Sequence, residues 1–164
     1  MTEEPAKTKG KPAHRSASVA RSAARLGAVQ ALYQMDIAET DLADVLADYG
    51  SGRLGAEFDD GQCGDADFGF LKSIVEGVVT DQVLIDKKIN ECLGSGWTLA
   101  RLEATSRAIL RAGGFELMFR EDVPPKVAIS EYVEVAKAFF DGREPGFINA
   151  SLDALARKCH PDKM

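Results

Sequence analysis

The sequence predicts an all-α protein of six or seven helices. Apolar residues recur at spacings of three and four along most of the chain, which is the period of a helix with one buried face. Glycine and proline interrupt this pattern where helices would end. No segment alternates with the period of two that a half-buried strand requires, and there is no internal repeat. The length of 164 residues fits a single domain.

The first predicted helix extends out of a basic N-terminal segment. Apolar positions recur from Val19 to Ile37, so this segment continues into a core helix. Arg21 and Arg25 are four residues apart and are therefore expected on one face of that helix. We expect residues 1–16 to form a flexible basic arm. Between residues 5 and 35 the chain has no acid and six basic residues: Lys7, Lys9, Lys11, Arg15, Arg21 and Arg25.

The basic segment has two interpretations. Because RSASVARSAAR is rich in Ser, Arg and Ala, it fits a solvated tail or a transit peptide. A phosphate-binding arm is the alternative. The phosphate-binding arm is favoured because a cleavable presequence would not usually share its periodic pattern with a core helix. The formal net charge of −6 is a poor guide, since ten acids and one base, Arg53, are concentrated between residues 36 and 67.

Helix signals continue after the basic segment. Asp41 offers an N-cap for a second helix that ends near Tyr49. A glycine-rich acidic loop follows, from Gly50 to Gly64, and a third helix begins at about Asp65. Gly77 inside that helix indicates close helix packing. A further helical segment begins at Asp81 and ends before the sequence Gly-Ser-Gly at residues 94–96.

The C-terminal half predicts three more helices. Thr98 begins a long helix that ends near Arg120. The pair Gly113-Gly114 would cost about 2 kcal/mol in its interior, and close contact with a neighbouring backbone would compensate. Pro124-Pro125 ends that helix and suits the first turn of the next. The last helix is predicted to begin at Pro145.

Several functional classes are disfavoured by composition. No run of 18 apolar residues suits a membrane helix, and the N-terminus lacks the apolar region of a secretory signal. The three cysteines, Cys63, Cys92 and Cys159, are odd in number and lack CxxC spacing, which fits a reducing cytosol. We therefore expect a cytoplasmic protein with one helical domain at residues 17–158 and a short tail at 159–164.

The sequence contains little that suggests catalysis. There is no P-loop, no dinucleotide-binding glycine motif and no HExxH. The adjacent Cys159 and His160 suit neither a helical metal pair nor a catalytic dyad. Glu116 and Glu131 lie among apolar residues, and we expect pairing with an arginine rather than acid–base chemistry. We predict a protein that is not an enzyme and has no cofactor and no metal.

The stretch from residue 108 to residue 157 carries a recognisable pattern. It contains AILR, FEL, DVPPKVAI, FIN and LD in order, and the N-terminal half contains AVQALYQMD after Arg21 and Arg25. In these motifs the chain resembles the transcription antitermination family NusB, over about residues 18–157. The segment from Gly50 to Asp65 has no recognisable counterpart.

The resemblance implies two packed three-helix bundles and a function. Family members bind the boxA element of nascent ribosomal RNA together with NusE, which is also a small-subunit ribosomal protein. This pair joins an RNA polymerase complex that suppresses premature termination, and some members form homodimers. Single-stranded RNA would be bound by cationic tracks and stacking side chains.

Particular residues inherit roles from the resemblance. Tyr33 is implied to face NusE, and Ser106 stands where an acid that contacts NusE is common. Ser22 occupies a position that is arginine in some members, so Lys11 and Arg15 would supply the missing charge, and we expect weak RNA binding without the partner. Phe147 is either a stacking side chain or core filler. The predicted RNA-binding residues are Lys11, Arg15, Arg21, Ser22, Arg25, Arg111, Lys126 and Phe147.

Two other functions stay open at this point. Ribosomal RNA cytosine methyltransferases carry a NusB-like N-terminal domain, but they need a second α/β domain with a glycine loop and a catalytic cysteine. The 164 residues contain neither, so we expect no methyl transfer. The second alternative is a helical protein-interaction module whose basic tail is merely solvated.

Overall fold

The computed structural model describes the backbone of residues 13–50 and 65–164. Within those ranges the chain forms six α-helices and no strand, which confirms the predicted all-α class. Lys11 and the acidic loop at residues 51–64 lie outside the described residues, as does the side chain of Arg15. The helices are α1 (Ala13–Ala38), α2 (Leu42–Asp48), α3 (Asp65–Cys92), α4 (Ala104–Phe119), α5 (Pro125–Phe139) and α6 (Glu144–Cys159).

The helices form two bundles that share one core. Helices α1, α2 and α3 pack together, and α4, α5 and α6 form the second group. Helix α4 lies at the centre, because it packs against α1 and α3 of the first bundle as well as α5 and α6 of its own. Its residues from Ala108 to Leu117 are buried except for Arg111. A helix that is buried on all sides in this way holds the two bundles together.

Local signals set most helix ends close to the predicted positions. Asp41 caps α2, since its side chain accepts a hydrogen bond from the amide of Asp44 at 3.0 Å. The prediction that Thr98 begins the fourth helix was wrong. A 3₁₀ turn at Leu99–Arg101 comes first, and Glu103 caps α4 by accepting hydrogen bonds from the amides at positions 105 and 106. Its carboxylate satisfies amides that would otherwise have no partner at the helix start.

Helix α3 is kinked where a new segment was predicted to begin. Asp81 has φ −113° and ψ 24°, outside the helical region, so α3 consists of two helical stretches joined at this residue. Both halves supply core residues, Leu71 and Ile74 before the kink and Ile85 and Ile89 after it.

The interior glycines provide room for neighbouring side chains. A Cβ built on Gly77 of α3 would lie 2.1 Å from the Phe115 ring, so this ring fills the space that any side chain would need. Gly113 and Gly114 meet side chains of other helices, at 3.0 Å from Leu152 and 3.0 Å from Ile89. The expected contact with a neighbouring backbone was therefore wrong in detail, because side chains from α6 and α3 make the close approach.

The C-terminal residues pack onto the helical domain. After α6, a 3₁₀ turn at Pro161–Lys163 brings Met164 against the core. His160 Nε2 lies 2.6 Å from the carbonyl oxygen of Leu117, which links this turn to α4. None of the helices in the described parts of the chain is long and apolar enough to cross a membrane.

Candidate nucleic-acid and partner interfaces

The structure describes two basic side chains of α1, Arg21 and Arg25, and of these Arg21 is the accessible one. Its side chain is 42% exposed, with Nη2 3.4 Å from Oδ2 of Asp122 in the turn between α4 and α5. The guanidinium carbon lies 4.5 Å from the centre of the Phe70 ring, a cation–π contact with the start of α3. Arg21 is therefore held in place by two other segments while one side of its charge faces solvent.

Arg25, one turn further along α1, is buried. Its Nε and Nη2 donate to the two carboxylate oxygens of Glu116 at 2.8 and 3.0 Å, and Nη1 donates to Glu131 at 3.2 Å. With 3% of the residue exposed, a phosphate could not replace these partners without opening the bundle. The prediction that Arg25 contacts RNA does not fit this position. The physical reason is that the buried carboxylate of Glu116 needs a cation beside it.

Glu116 is the centre of a buried network that joins both bundles. It accepts hydrogen bonds from Arg25 and from the Tyr132 hydroxyl, the latter at 2.5 Å. Burial, together with the adjacent Glu116 carboxylate, raises the pKa of Tyr132 well above its ordinary value, so its hydroxyl keeps the proton that it donates. Although burial disfavours the charge on Arg25, the hydrogen bond that Arg25 donates to Glu116 raises the pKa of Arg25. The expected pairing of Glu116 with an arginine is thereby confirmed.

Ser22 faces the same network from its outer side. Its hydroxyl donates to Oε1 of Glu131 at 2.7 Å, the same oxygen that Arg25 contacts. Ser22 therefore joins α1 to α5 at a partly buried position. Its hydroxyl is already committed to a carboxylate, which leaves its predicted RNA contact without direct structural support.

Three guanidinium groups surround the ring of Phe70. Their carbons lie 4.5 Å (Arg21), 5.1 Å (Arg25) and 4.8 Å (Arg120) from the ring centre. Arg120 also makes two hydrogen bonds of 2.9 Å with the carboxylate of Asp122. The hydrogen bond from Arg120 lowers the pKa of Asp122 well below its ordinary value, so this carboxylate is charged at neutral pH. We call these five residues the Phe70 cluster.

Sequence reasoning missed Phe70, Arg120 and Asp122. Phe70 reads as one of several apolar residues of a helix, and Arg120 as a residue near the end of another. The cluster forms only where α1, the start of α3 and the α4–α5 turn meet, over sequence separations of up to 101 residues. No local sequence pattern predicts that these three elements contact one another. The nearest signal was the quoted motif DVPPKVAI, whose first residue is Asp122.

Three other predicted RNA-binding residues, Arg111, Lys126 and Phe147, lie apart from this cluster. Arg111 makes two hydrogen bonds of 2.9 Å with Asp86 of α3, and its Nη1 lies 3.9 Å from Asp36, so it joins α4 to α3 and α1. Lys126 is exposed in a groove of about 580 Å³ between α5 and α6. Phe147 is partly buried and packs against the core, which supports the reading of this residue as core filler.

An apolar groove lies along the second half of α1. It has a volume of about 580 Å³, and the exposed side chains of Tyr33, Ile37 and Phe139 border it. Gln30 Oε1 faces it as a buried oxygen for which no described residue supplies a hydrogen bond. We call this the Tyr33 groove. Its residues, in chain order, are Val29, Gln30, Tyr33, Gln34, Ile37, Ala38, Thr105 and Phe139.

Ser106, the second predicted partner-binding residue, does not border this groove. It is buried at the first turn of α4, where its amide donates to Glu103. Its neighbour Thr105 borders the groove in its place. The two side chains differ in this way because successive residues of a helix point about 100° apart.

The described residues show no group of three or more His, Cys, Asp or Glu side chains that could hold a metal ion. His160 is committed to the Leu117 carbonyl, as described above. Cys92 and Cys159 are free thiols, and burial raises the pKa of each. A higher pKa leaves less of the reactive thiolate at neutral pH.

These features define an all-α protein with two candidate contact surfaces, one rich in guanidinium groups and one apolar. Residues 22–157 match the model of the NusB family, and the chain belongs to this family. It is 53% identical over 137 residues to the transcription antitermination protein NusB of Caulobacter vibrioides, covering 84% of this chain and 92% of the relative.

Solved structures share the fold. A crystal form of T. maritima NusB is 27% identical, with a TM-score of 0.71 over 87% of this chain and 95% of the other. The crystal structure of the antitermination factors NusB and NusE in complex with dsRNA is 22% identical, with a TM-score of 0.69 over 85% and 97% of the two chains. At that identity the second likeness bears on the fold alone.

Proposed function

We propose that the protein is a transcription antitermination factor that binds boxA-type elements of nascent ribosomal RNA together with the ribosomal protein NusE, in the cytoplasm and without catalysis of its own. Family membership and the 53% identical antitermination protein support this proposal. The observation that carries it is the position of Arg21, half exposed beside Phe70 and Arg120 at the N-terminal end of α1.

The charge balance of the Phe70 cluster explains why a partner is needed. Three guanidinium groups are opposed by the carboxylates of Glu116, Glu131 and Asp122, so the described side chains at this end of α1 give no net positive charge. Each phosphate contact adds a salt-dependent increment to the affinity, and few such increments are available. A second surface that joins the same RNA would raise the overall affinity without strengthening this one.

Replacing Arg21 with glutamine is expected to weaken RNA binding several-fold. Loss of one phosphate contact should reduce the slope of log affinity against log salt concentration by about 0.7 for a single strand. The measurement is a fluorescence-anisotropy titration of a labelled boxA-type RNA, and of its duplex, in the presence of NusE at two salt concentrations.

The matched control for Arg21 is Arg157→Gln on α6. Arg157 is also an exposed arginine that pairs with one carboxylate, Asp153, at 2.8 Å. Equal affinities and equal salt slopes for the two variants would remove Arg21 from the RNA site. Circular dichroism of both variants should stay that of the wild type, since neither side chain is buried.

The Tyr33 groove is the surface that we assign to NusE. It presents the exposed apolar side chains of Tyr33, Ile37 and Phe139 side by side. Apolar anchors seated in a groove with few polar groups are typical of the energetic centre of a protein interface. The alternative of a pure protein-interaction module would use this groove and leave Arg21 without a role.

Replacing Ile37 with aspartate is expected to weaken NusE binding by about tenfold or more, because a charge would be placed among apolar contacts. Isothermal titration calorimetry with purified NusE measures the change. Val83→Asp is the control, since Val83 is an even more exposed apolar residue on α3, outside the groove. The assignment fails if both variants bind NusE equally well.

A further inference from the structure

Among the residues that the structure describes, Asp122 is the one carboxylate that pairs with both accessible guanidinium groups of the Phe70 cluster. Its Oδ1 and Oδ2 accept hydrogen bonds of 2.9 Å from Nε and Nη2 of Arg120, and Oδ2 also lies 3.4 Å from Nη2 of Arg21. A carboxylate bridging two guanidinium groups has the charge and the spacing of acceptors that an RNA phosphate would offer.

Both arginines have a further contact that does not involve Asp122. Arg21 and Arg120 both lie over the Phe70 ring, which is itself buried. Arg120 Nη1 also donates to the hydroxyl of Ser73 at 3.0 Å, and that hydroxyl is fixed because it donates to the carbonyl oxygen of Phe70. Removal of the Asp122 carboxylate would therefore leave a pair of oriented donors rather than two free side chains.

The carboxylates that pair with the arginines of the Phe70 cluster differ in how easily an incoming anion can displace them. The Asp122 side chain is 51% exposed, whereas the Glu116 side chain is not exposed at all. Exposed ion pairs contribute little to stability, while breaking a buried pair leaves an uncompensated charge. An anion that approaches from solvent can take the place of Asp122 but not that of Glu116.

We propose that Asp122 occupies the place of an RNA phosphate in the free protein, and that Arg120 and Arg21 together bind that phosphate when Asp122 is displaced. This inference rests on the proposed RNA-binding function. It adds Arg120 to the RNA site as a phosphate-binding residue. Asp122 acts as an internal competitor that lowers the affinity for RNA, so its removal strengthens binding instead of weakening it.

The test is an RNA titration of Asp122→Asn, with Asp122→Ser as a second variant of different size. Both variants are expected to bind the labelled boxA-type RNA about two- to fivefold more tightly than the wild type, the range set by an exposed ion pair. The slope of log affinity against log salt should steepen by up to about 0.7, because the variant site has one more net positive charge to set against the RNA. Arg120→Gln should weaken binding.

The control is Asp153→Asn on α6, which frees Arg157 from a similar exposed pair and should leave the RNA affinity unchanged. The gain from Asp122→Asn should vanish in an Arg21→Gln, Arg120→Gln background, since no guanidinium pair remains to be released. A gain that persists there would assign the effect to general charge and overturn the inference.

Two further outcomes separate this inference from the function on which it rests. If both Asp122 variants bind RNA with the wild-type affinity at every salt concentration, the inference is overturned and the RNA-binding function stays intact. Absence of RNA binding by the wild type and all variants, with and without NusE, overturns both.

Discussion

Replacing Glu116 with alanine is expected to lower the free energy of unfolding by about 3–5 kcal/mol, because it leaves the buried guanidinium of Arg25 with only the partly exposed Glu131 as a partner. The Tyr132 hydroxyl would also lose its acceptor in a fully buried position. A domain of this kind is stable by about 5–15 kcal/mol, so the loss is a large fraction of the total.

Urea unfolding followed by far-ultraviolet circular dichroism measures this loss. The control is Asp153→Ala, which removes one carboxylate from an exposed ion pair on α6 and should cost less than about 1 kcal/mol. If Glu116→Ala costs no more than the control, the network does not hold the bundles together.

A second variant separates the loss of charge from the loss of packing. The triple substitution Arg25→Met, Glu116→Leu, Tyr132→Phe removes the three fully buried polar side chains of the network at once. Replacing a buried ion pair by apolar side chains of similar volume is often neutral, so we expect most of the stability to return. RNA binding by this variant should then stay close to that of the wild type, since Arg21 and Arg120 are unchanged.

Replacing Gly77 with alanine is expected to destabilise the protein by about 1–3 kcal/mol, although alanine is the better helix former. The added Cβ would lie 2.1 Å from a carbon of the Phe115 ring, closer than any contact allows. Because Phe115 is buried between α3 and α4, its ring cannot move without disturbing its neighbours. Thermal unfolding measures the effect.

Gly69 provides an internal comparison on the same helix. A Cβ there meets nothing within 4 Å, so Gly69→Ala should stabilise the protein by roughly 0.5–1 kcal/mol. The two substitutions are chemically identical, and their opposite signs isolate the packing contribution. Adding Phe115→Leu to Gly77→Ala should recover part of the loss. A stabilising Gly77→Ala would show that the ring has room to shift.

The sequence predicted the helices better than it predicted their surfaces. Helix class and most ends follow from periodicity and caps, which act over a few residues; even the wrong helix start at Thr98 lay only six residues from the observed one. The pairing of Glu116 with an arginine was also predictable, because a carboxylate among apolar neighbours needs a cation. The identity of that arginine was not, since Arg25 is 91 residues away in the chain.

The functional surfaces depend on which side of a helix meets another element. Arg21 and Arg25 were expected to be equivalent, yet α4 and α5 bury only the second. Ile37 continues the apolar pattern of α1 but is 56% exposed. The apolar pattern did not predict this exposure, because the same pattern occurs in a core contact and in an exposed groove. Such distinctions arise from tertiary packing, which spacing along one helix does not encode.

Helix α1 is continuous over 26 residues, so the distance between any two of its side-chain positions is fixed. Arg21 and Tyr33 lie on the same rigid rod, about 18 Å apart along its axis and about a third of a turn apart around it. RNA and a partner protein held at these two points would sit on different sides of the rod at a fixed separation, so neither would block the other. The angle around the helix axis between these two residues, as much as the chemistry of their side chains, would then determine whether RNA and the partner protein can bind at the same time.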